Sequence, residues 1–543
     1  MKPKHLLLIL WIASAQATLA QVNFTSSNLP IIVINTHGQA IPDEPKIPAD
    51  MGIIYNGVGV RNNITDPFNN FNGTIGIELR GSTSQDLFPK KQYGIEIRNA
   101  SEISIDASLL GLPKKDDWVL FAPYDDKSLM RDVLAYKLGR ELGRYASRSV
   151  YCEMVLNGEY MGVFVLLEKI KRDKNRVNID KLDITENTGD NLTGGYILKL
   201  DKIEGSGGAG WNSPYPPPNR SGGQTTYLQY EYPKPEDITP EQKAYIINYV
   251  TQFEHTLAGD NFKDPANGYA RYIDVDSFVD YFIANELSRN PDAYRISTFM
   301  YKRKDSDGGK LFMGPIWDFN LGFGNVNFCA KEKPEGFIID YNMICPGDGW
   351  LVPFWWSRLF EDPAFKSKVV TRWQGLRTKT YATARLTGYI DSVATVLNAE
   401  SQQRNFQRWP VLGQYVWPNS FIGPTFQSEV DWLKDWLTRR LTWMDANLPN
   451  VITGLNENNS ISFTMTASPN PFRQEITVRC QMAIAGPVSI ELLDLTGRKL
   501  YSAEHFSEVG VFEDHISIPL EPGMYVIRSC TNNQTLVEKI IHQ

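Results

Sequence analysis

Between Asn450 and Ser462 the chain changes character. A tryptophan-rich stretch with helical periodicity gives way to the polar, asparagine-rich run NLPNVITGLNENNS, and then to short segments in which apolar and polar residues alternate. One core does not continue through such a seam, so a chain of 543 residues divides there into more than one domain. Beyond it, ITVRCQM, VSIELLDL and MYVIRSC alternate with period two and are separated by the turn signals LTGRKL and LEPGMY, the pattern of a small antiparallel, immunoglobulin-like β-sandwich. The expected organisation is a leader over residues 1–20, a main domain over 21–450, a linker over 451–464 and a C-terminal domain over 465–543.

The leader reads as a signal peptide: Lys2 and Lys4 precede the apolar run LLLILWIA, with a cleavage point near Ala20. Its apolar stretch is short for a bilayer span, and no later run reaches transmembrane length. A net charge of -7 argues against a nucleic-acid partner, which calls for a basic face. The five cysteines suit an exported protein, with Cys329 and Cys345 expected as one bridge, Cys480 and Cys530 as a second, and Cys152 alone. No CxxC pair and no histidines at zinc spacing accompany them.

The main domain is α+β, with strands concentrated early and helices late. Strand patterns run through PIIVINT, TIGIELRG, QYGIEIRN, GGYILKLD and STFMYKRK. SVYCEMVL and EYMGVFVLLEKI form a hairpin across Asn157-Gly158, a dipeptide suited to positive φ. Helical periodicity marks SLMRDVLAYKLGRELG, PEQKAYIINYVTQFEHTLAG and DVDSFVDYFIANELSRN. Asp274 is expected to cap the last of these, with Asp276 and Asp280 on its exposed side. The Gly- and Pro-rich EGSGGAGWNSPYPPPNRSGGQ reads as a long surface loop bordering a site. A strand-rich lobe followed by a helix-rich lobe is the expected shape.

Histidine chemistry has little to draw on, because only His37 and His255 lie between the leader and the C-terminal domain, and both read as surface residues. GxSxG and HExxH are absent. Lysines and carboxylates remain. Lys90 and Lys91 open a strand in which alternation puts Lys91, Tyr93 and Ile95 on one face. If that face meets a cleft, Lys91 supplies the cation that phosphoryl transfer requires. Asp292 follows a helix and Asp318 follows a strand-turn-strand segment, so a hairpin between them brings both to one mouth, where they can hold Mg²⁺. Arg80 and Ser82 to Ser84, in RGSTS, are candidate phosphate contacts. DSDGG reads as a turn rather than a calcium loop, Arg131 and Asp132 as a helix cap or ion pair, and Trp355 and Trp356 as core.

ELRGSTSQDLFPKKQYGIEI, DDWVLFAPYDDKSLMRDVLAYKL, LNGEYMGVFVLLEKIKRDKNRVNI, GGYILKLD, NPDAY and GPIWDFNLGFGN resemble, in order, the motifs of the spore-coat protein H family, the CotH kinases. That resemblance implies an atypical protein-kinase-like, two-lobed fold and Mg²⁺-dependent transfer of the ATP γ-phosphate to a protein hydroxyl. It assigns Lys91 to the nucleotide phosphates with Lys90 beside it, Asp292 to the attacking hydroxyl and to the metal, and Asp318 to Mg²⁺. Glu168 is the favoured partner of Lys91, ahead of Glu141, and Ser297 is the nearest candidate for a second metal ligand. A catalytically silent adhesion or binding protein on the same fold is the alternative, and a glycan-linked structural protein a third reading. SPNPF, LLDLTGRKL and PGMYVIRS together resemble the type A sorting domain of the type IX secretion system, implying a Bacteroidota-type bacterium, the secretion machinery as a partner, and a secreted or outer-membrane surface location.

Overall fold

A computed structural model describes residues 22–203, 208–452, 463–482, 486–494, 497–507, 510–531 and 535–543. The leader expected over 1–20, and most of the linker expected over 451–464, lie outside the described residues. The chain forms two compact units, Met1–Ala446 and Asn447–Gln543.

Seven strands near the start of the first unit belong together: β1 (Ile31–Asn35), β2 (Ile47–Ile54), β3 (Phe71–Arg80), β4 (Gln92–Arg98), β5 (Asp117–Phe121), β6 (Ser149–Leu156) and β7 (Glu159–Glu168). They close a barrel in the order β1-β2-β3-β4-β5-β7-β6. Neighbours are antiparallel except at the closure, where β1 runs parallel to β6 from Ile31 opposite Glu153 to Ile34 opposite Leu156. Period-two alternation fills the interior: Ile75 and Ile77, Tyr93 with Ile95 and Ile97, Trp118 and Leu120, and Phe164 and Leu166 point inward into one apolar cluster. The β6–β7 turn is the expected one, with Asn157 and Gly158 both at positive φ.

A second, antiparallel sheet follows, built from β8 (Tyr196–Leu200), β9 (Gly210–Asn212), β10 (Tyr227–Tyr232), β11 (Thr298–Lys302) and β12 (Leu311–Met313) in the order β9-β10-β8-β11-β12. Strand β9 corrects the reading of the Gly- and Pro-rich stretch as loop throughout, because backbone pairing with β10 overrides its composition. The longer helices are α1 (Arg131–Glu141), α2 (Pro240–Ala258), α3 (Val275–Ser288), α4 (Phe354–Leu359), α5 (Pro363–Arg377), α6 (Thr383–Asn398), α7 (Ser401–Arg408) and α8 (Phe426–Ile452). Asp274 caps α3 by accepting from the Ser277 amide. Asp276 is exposed, as expected, but Asp280 is buried between Arg144 and Arg372, at 2.7 and 2.8 Å, since α3 is covered on that side by α5.

Trp355 and Trp356 on α4 are core residues. The Trp355 indole donates to the buried Glu254 of α2, which also accepts from Ser213. Burial holds the Glu254 carboxyl up at about 7, against about 4.3 in an unfolded chain. The folded state therefore carries the extra proton, and the stability it contributes is complete below the unfolded value and is lost as pH rises through 7. Glu254→Gln keeps an acceptor for both donors and removes the charge. It is expected to be more stable than wild type by up to about 3 kcal/mol at pH 8 and no more stable near pH 4, as urea unfolding at the two pH values measures.

The second unit contains a three-stranded sheet, Phe463–Ser468, Ile476–Met482 and Gly510–Ile516, and a four-stranded one, Gly486–Leu493, Lys499–Ser507, Gly523–Thr531 and Thr535–His542. Ile476, Val478 and Cys480 from the first share a core with Ile490, Leu492 and Ile527 from the second. Cys329 and Cys345 are bridged, with Cα atoms 5.9 Å apart. The expected bridge between Cys480 and Cys530 is not formed. Cys480 points into the core and meets Ser529, so alternation turns Cys530, the next residue, to the other face of its strand.

Candidate functional site

The outer face of the barrel and the second sheet enclose a cavity of about 1090 Å³. Alternation decides which barrel residues reach it. Glu78 and Arg80 of β3, Gln92 and Gly94 of β4, Asp117 and Val119 of β5, and Leu167 with Lys169 at the end of β7 line it. Their inward-facing neighbours fill the barrel.

This parity corrects the lysine assignment. Lys91 belongs to the face of β4 that carries Tyr93 and Ile95 into the barrel core, and its ammonium group donates to the Gln85 carbonyl instead of reaching the cavity. Lys90 is buried and ties β7 to α7, donating to the Val163 carbonyl at 2.6 Å and to Asn405 Oδ1 at 2.9 Å. Burial lowers its pKa to about 7. Glu168 has the inward parity too and is taken by Arg148, whose Nη2 lies 2.8 Å away, so it pairs with no cavity lysine. Glu141 pairs with Lys137 and Arg385 on the α1 surface. The cation that lines the cavity is Lys169, one residue after Glu168, near Asp117, Arg80 and Glu231. Strand alternation through VFVLLEK identifies it from sequence once the inward face is known.

Asp292 and Asp318 both line the cavity, together with Arg80, Ser82, Thr83, Ser84 and Ser297. The β11–β12 hairpin separates the two aspartates in sequence and returns the chain to the same wall. Asp318 stands at φ 66°, a left-handed conformation that Asp tolerates better than most residues. Three hydrogen bonds fix it there: the Asp318 amide donates to Tyr136 Oη at 3.2 Å, Asn290 Nδ2 donates to the Asp318 carbonyl at 3.0 Å, and the Phe319 amide donates to Asp132 Oδ1 at 2.8 Å. A backbone held so firmly in a sparsely populated region marks a place where side-chain position matters. The glycines that follow admit packing: a Cβ on Gly324, at φ 74°, would lie 2.4 Å from the Trp436 indole nitrogen of α8.

Asp132 therefore positions the Asp318 segment, while Arg131 forms the ion pair expected of a helix start, with the buried Asp126. On the acidic wall, Asp201 accepts from the Lys202 and Ser297 amides at 2.9 and 3.4 Å, and Ser297 Oγ donates to Asp318 Oδ2 at 3.4 Å. Asp292 is held by Arg295 Nη2 at 3.1 Å, and Arg295 in turn by Asp348 at 3.1 Å. Burial first, then the charges of Asp292 and Asp201, push the Asp318 carboxyl up to about 6 against the pull of Arg80 and Lys202. Asp125, beside Asn320, is pushed up to about 7 by burial and by Asp126. Facing these groups, Arg80 lies 5.3 Å from the Trp317 ring and leaves its Nη1 buried without a partner. Asp201 and Lys169 lie in motifs legible in sequence, GGYILKLD and LLEKIK, but neither carries a local signal of its role.

Among the described residues, no three His, Cys, Asp or Glu side chains converge as a metal cage. Mg²⁺ asks for less, since one or two carboxylates suffice when phosphate and water oxygens complete its shell. Crowded carboxylates whose pKa values burial raises, together with a guanidinium whose buried Nη1 lacks a partner, fit such a bound pair of cation and phosphate.

Residues 77–444 match the family model described as CotH kinase protein. The chain belongs to the CotH family. Residues 467–543 match the secretion system C-terminal sorting domain, which marks this CotH protein for type IX secretion, to the cell surface or beyond. None of the curated proteins matches the chain. Among solved structures, the crystal structure of dimeric latent PorU from Porphyromonas gingivalis aligns at 20% identity over 15% of this chain and 9% of its own, with a TM-score of 0.14. Among the described residues, no helix of the CotH protein is long and apolar enough to cross a membrane.

Proposed function

We propose that the CotH domain is a secreted, atypical protein kinase that transfers the γ-phosphate of ATP to a protein hydroxyl. The observation that carries this reading is one cavity lined both by the carboxylates of Asp292, Asp318 and Asp201 and, from the barrel strands, by the cations of Arg80 and Lys169. Its size exceeds that of common small-ligand sites and accommodates a nucleotide with part of an acceptor chain. The barrel and the helix-rich remainder then act as the two lobes of a kinase-like fold.

Asp318 and Asp292 would hold Mg²⁺, with Asp201 and Ser297 beside them. When bound, the ion neutralises phosphate oxygens and keeps the transferring group aligned. Arg80 and Lys169 bind phosphate oxygens from the barrel side, where low dielectric strengthens their contribution. Asp292 orients the acceptor hydroxyl and takes its proton, and Arg295 keeps that carboxylate from swinging away.

Incubation of the mature chain with γ-labelled ATP and Mg²⁺ tests transfer, either to itself or to surface proteins of the producing cell. Asp292→Asn is expected to lower labelling by about a hundredfold or more. Undiminished labelling by this variant would contradict the assigned base, and nucleotide binding without any transfer by wild type would favour the silent binding protein.

A further inference from the structure

A second cavity, of about 190 Å³, lies behind the Gly314-Pro315-Ile316 segment that leads into Asp318. Three arginines line it, Arg144, Arg176 and Arg303, against one carboxylate, Asp280. Asp280 is already satisfied by Arg144 and Arg372.

The other two guanidinium groups are incompletely satisfied. Arg176 is 3% exposed, and its Nη1 donates to the carbonyls of Asp117 and Lys169 at 2.9 and 2.8 Å, yet its Nη2 is buried without a partner. Arg303 packs over the Phe312 ring at 4.8 Å and reaches Asp307 only at 3.6 Å, and its Nε is likewise buried without a partner. Buried donors are nearly always paired, and two unpaired charged ones on residues that line the same small cavity call for an acceptor there. Glu168 Oε1 lies 3.9 Å from Arg176 Nε, beyond hydrogen-bond reach, and sits closer to Arg148 Nη2, at 2.8 Å.

We propose that this cavity is a binding site for a small phosphate-type oxyanion, separate from the large cavity and held chiefly by Arg176 and Arg303. Its volume falls below the roughly 300 Å³ at which drug-sized ligand sites begin, so a free phosphate fits and a nucleotide does not. The guanidinium fork matches tetrahedral oxyanions by paired N–H donors. An anion here also braces the Arg176 contact with the Lys169 carbonyl, one wall of the large cavity. The proposal stands whether or not the CotH domain is a kinase.

Inorganic phosphate is the probe, titrated calorimetrically into the full mature chain at constant ionic strength. Lys169→Ala serves as background because it weakens anion binding in the large cavity. The background protein is expected to bind phosphate at one site, and adding Arg303→Met, which keeps the packing on Phe312, is expected to weaken that binding about tenfold or more. Equal binding with and without Arg303→Met would overturn the proposal, as would no binding by the background protein. If the double variant does not fold, Arg303→Lys in the same background decides: a smaller rise in melting temperature with phosphate over chloride than in the background protein supports the site, and an equal rise overturns it.

Discussion

Replacing Lys169 by alanine is expected to weaken binding of Mg²⁺-ATP by about tenfold to a hundredfold, the scale of one charge-assisted hydrogen bond in a low-dielectric site. Lys91→Ala is expected to leave the affinity within about twofold of wild type, since a group outside the cavity loses no ligand contact. The contrast follows from strand parity. Lys169 continues the outward face of β7 into the cavity, whereas Lys91 precedes a strand whose matching face fills the barrel. Lys171 remains to compensate Asp117 in the Lys169 variant, so a loss of affinity there reports on the site. Calorimetry on both variants separates the two lysines, and the reverse ranking would restore Lys91 to the site.

Arg440→Leu is expected to cost about 3–5 kcal/mol of stability, because it strands a buried carboxylate. Arg440 on α8 is fully buried, lies 3.3 Å from Glu286 of α3, and donates to the carbonyls of Glu286, Pro334 and Gly336. Glu286 also accepts from the Ile338 and Ile339 amides at 2.7 and 3.0 Å. The pair thus joins α8 and the 334–339 segment to α3, which ends just ahead of Asn290 and Asp292. Burial lowers the Arg440 pKa to about 9, yet its partners favour the charged form. A double variant, Glu286→Leu with Arg440→Leu, is expected to recover part of the loss, because two apolar groups leave no buried charge unpaired. Denaturant unfolding of the three variants measures this coupling.

Local signals in the sequence were reliable where one or two residues decide the conformation. Asn157-Gly158 specified its turn, Asp274 its helix start, and the alternating runs their strands. Barrel closure was not legible, because the parallel pairing of β1 with β6 joins distant segments that carry no mark of each other. The same gap explains the lysine error: alternation showed which residues share a face of β4, but only closure determines that this face is interior. Asp280 misled similarly, since a carboxylate on a helix reads as exposed until Arg144, from the turn after α1, and Arg372 of α5 reach it. Asp292 and Asp318 were legible as neighbours because a local hairpin, β11–β12, joins them. Asp201 was not, because it approaches them from β8 across the sheet.

The measurement that tests the central claim most directly is calorimetric titration of ATP into the mature chain, with and without Mg²⁺, beside Asp318→Asn. Asparagine keeps the shape of the side chain and, like aspartate, tolerates positive φ, so the variant is expected to retain its fold while losing the charge proposed to hold the ion. The account predicts Mg²⁺-dependent binding in wild type that is lost in the variant. Binding that is indifferent to Mg²⁺, or equal in the two proteins, would contradict it.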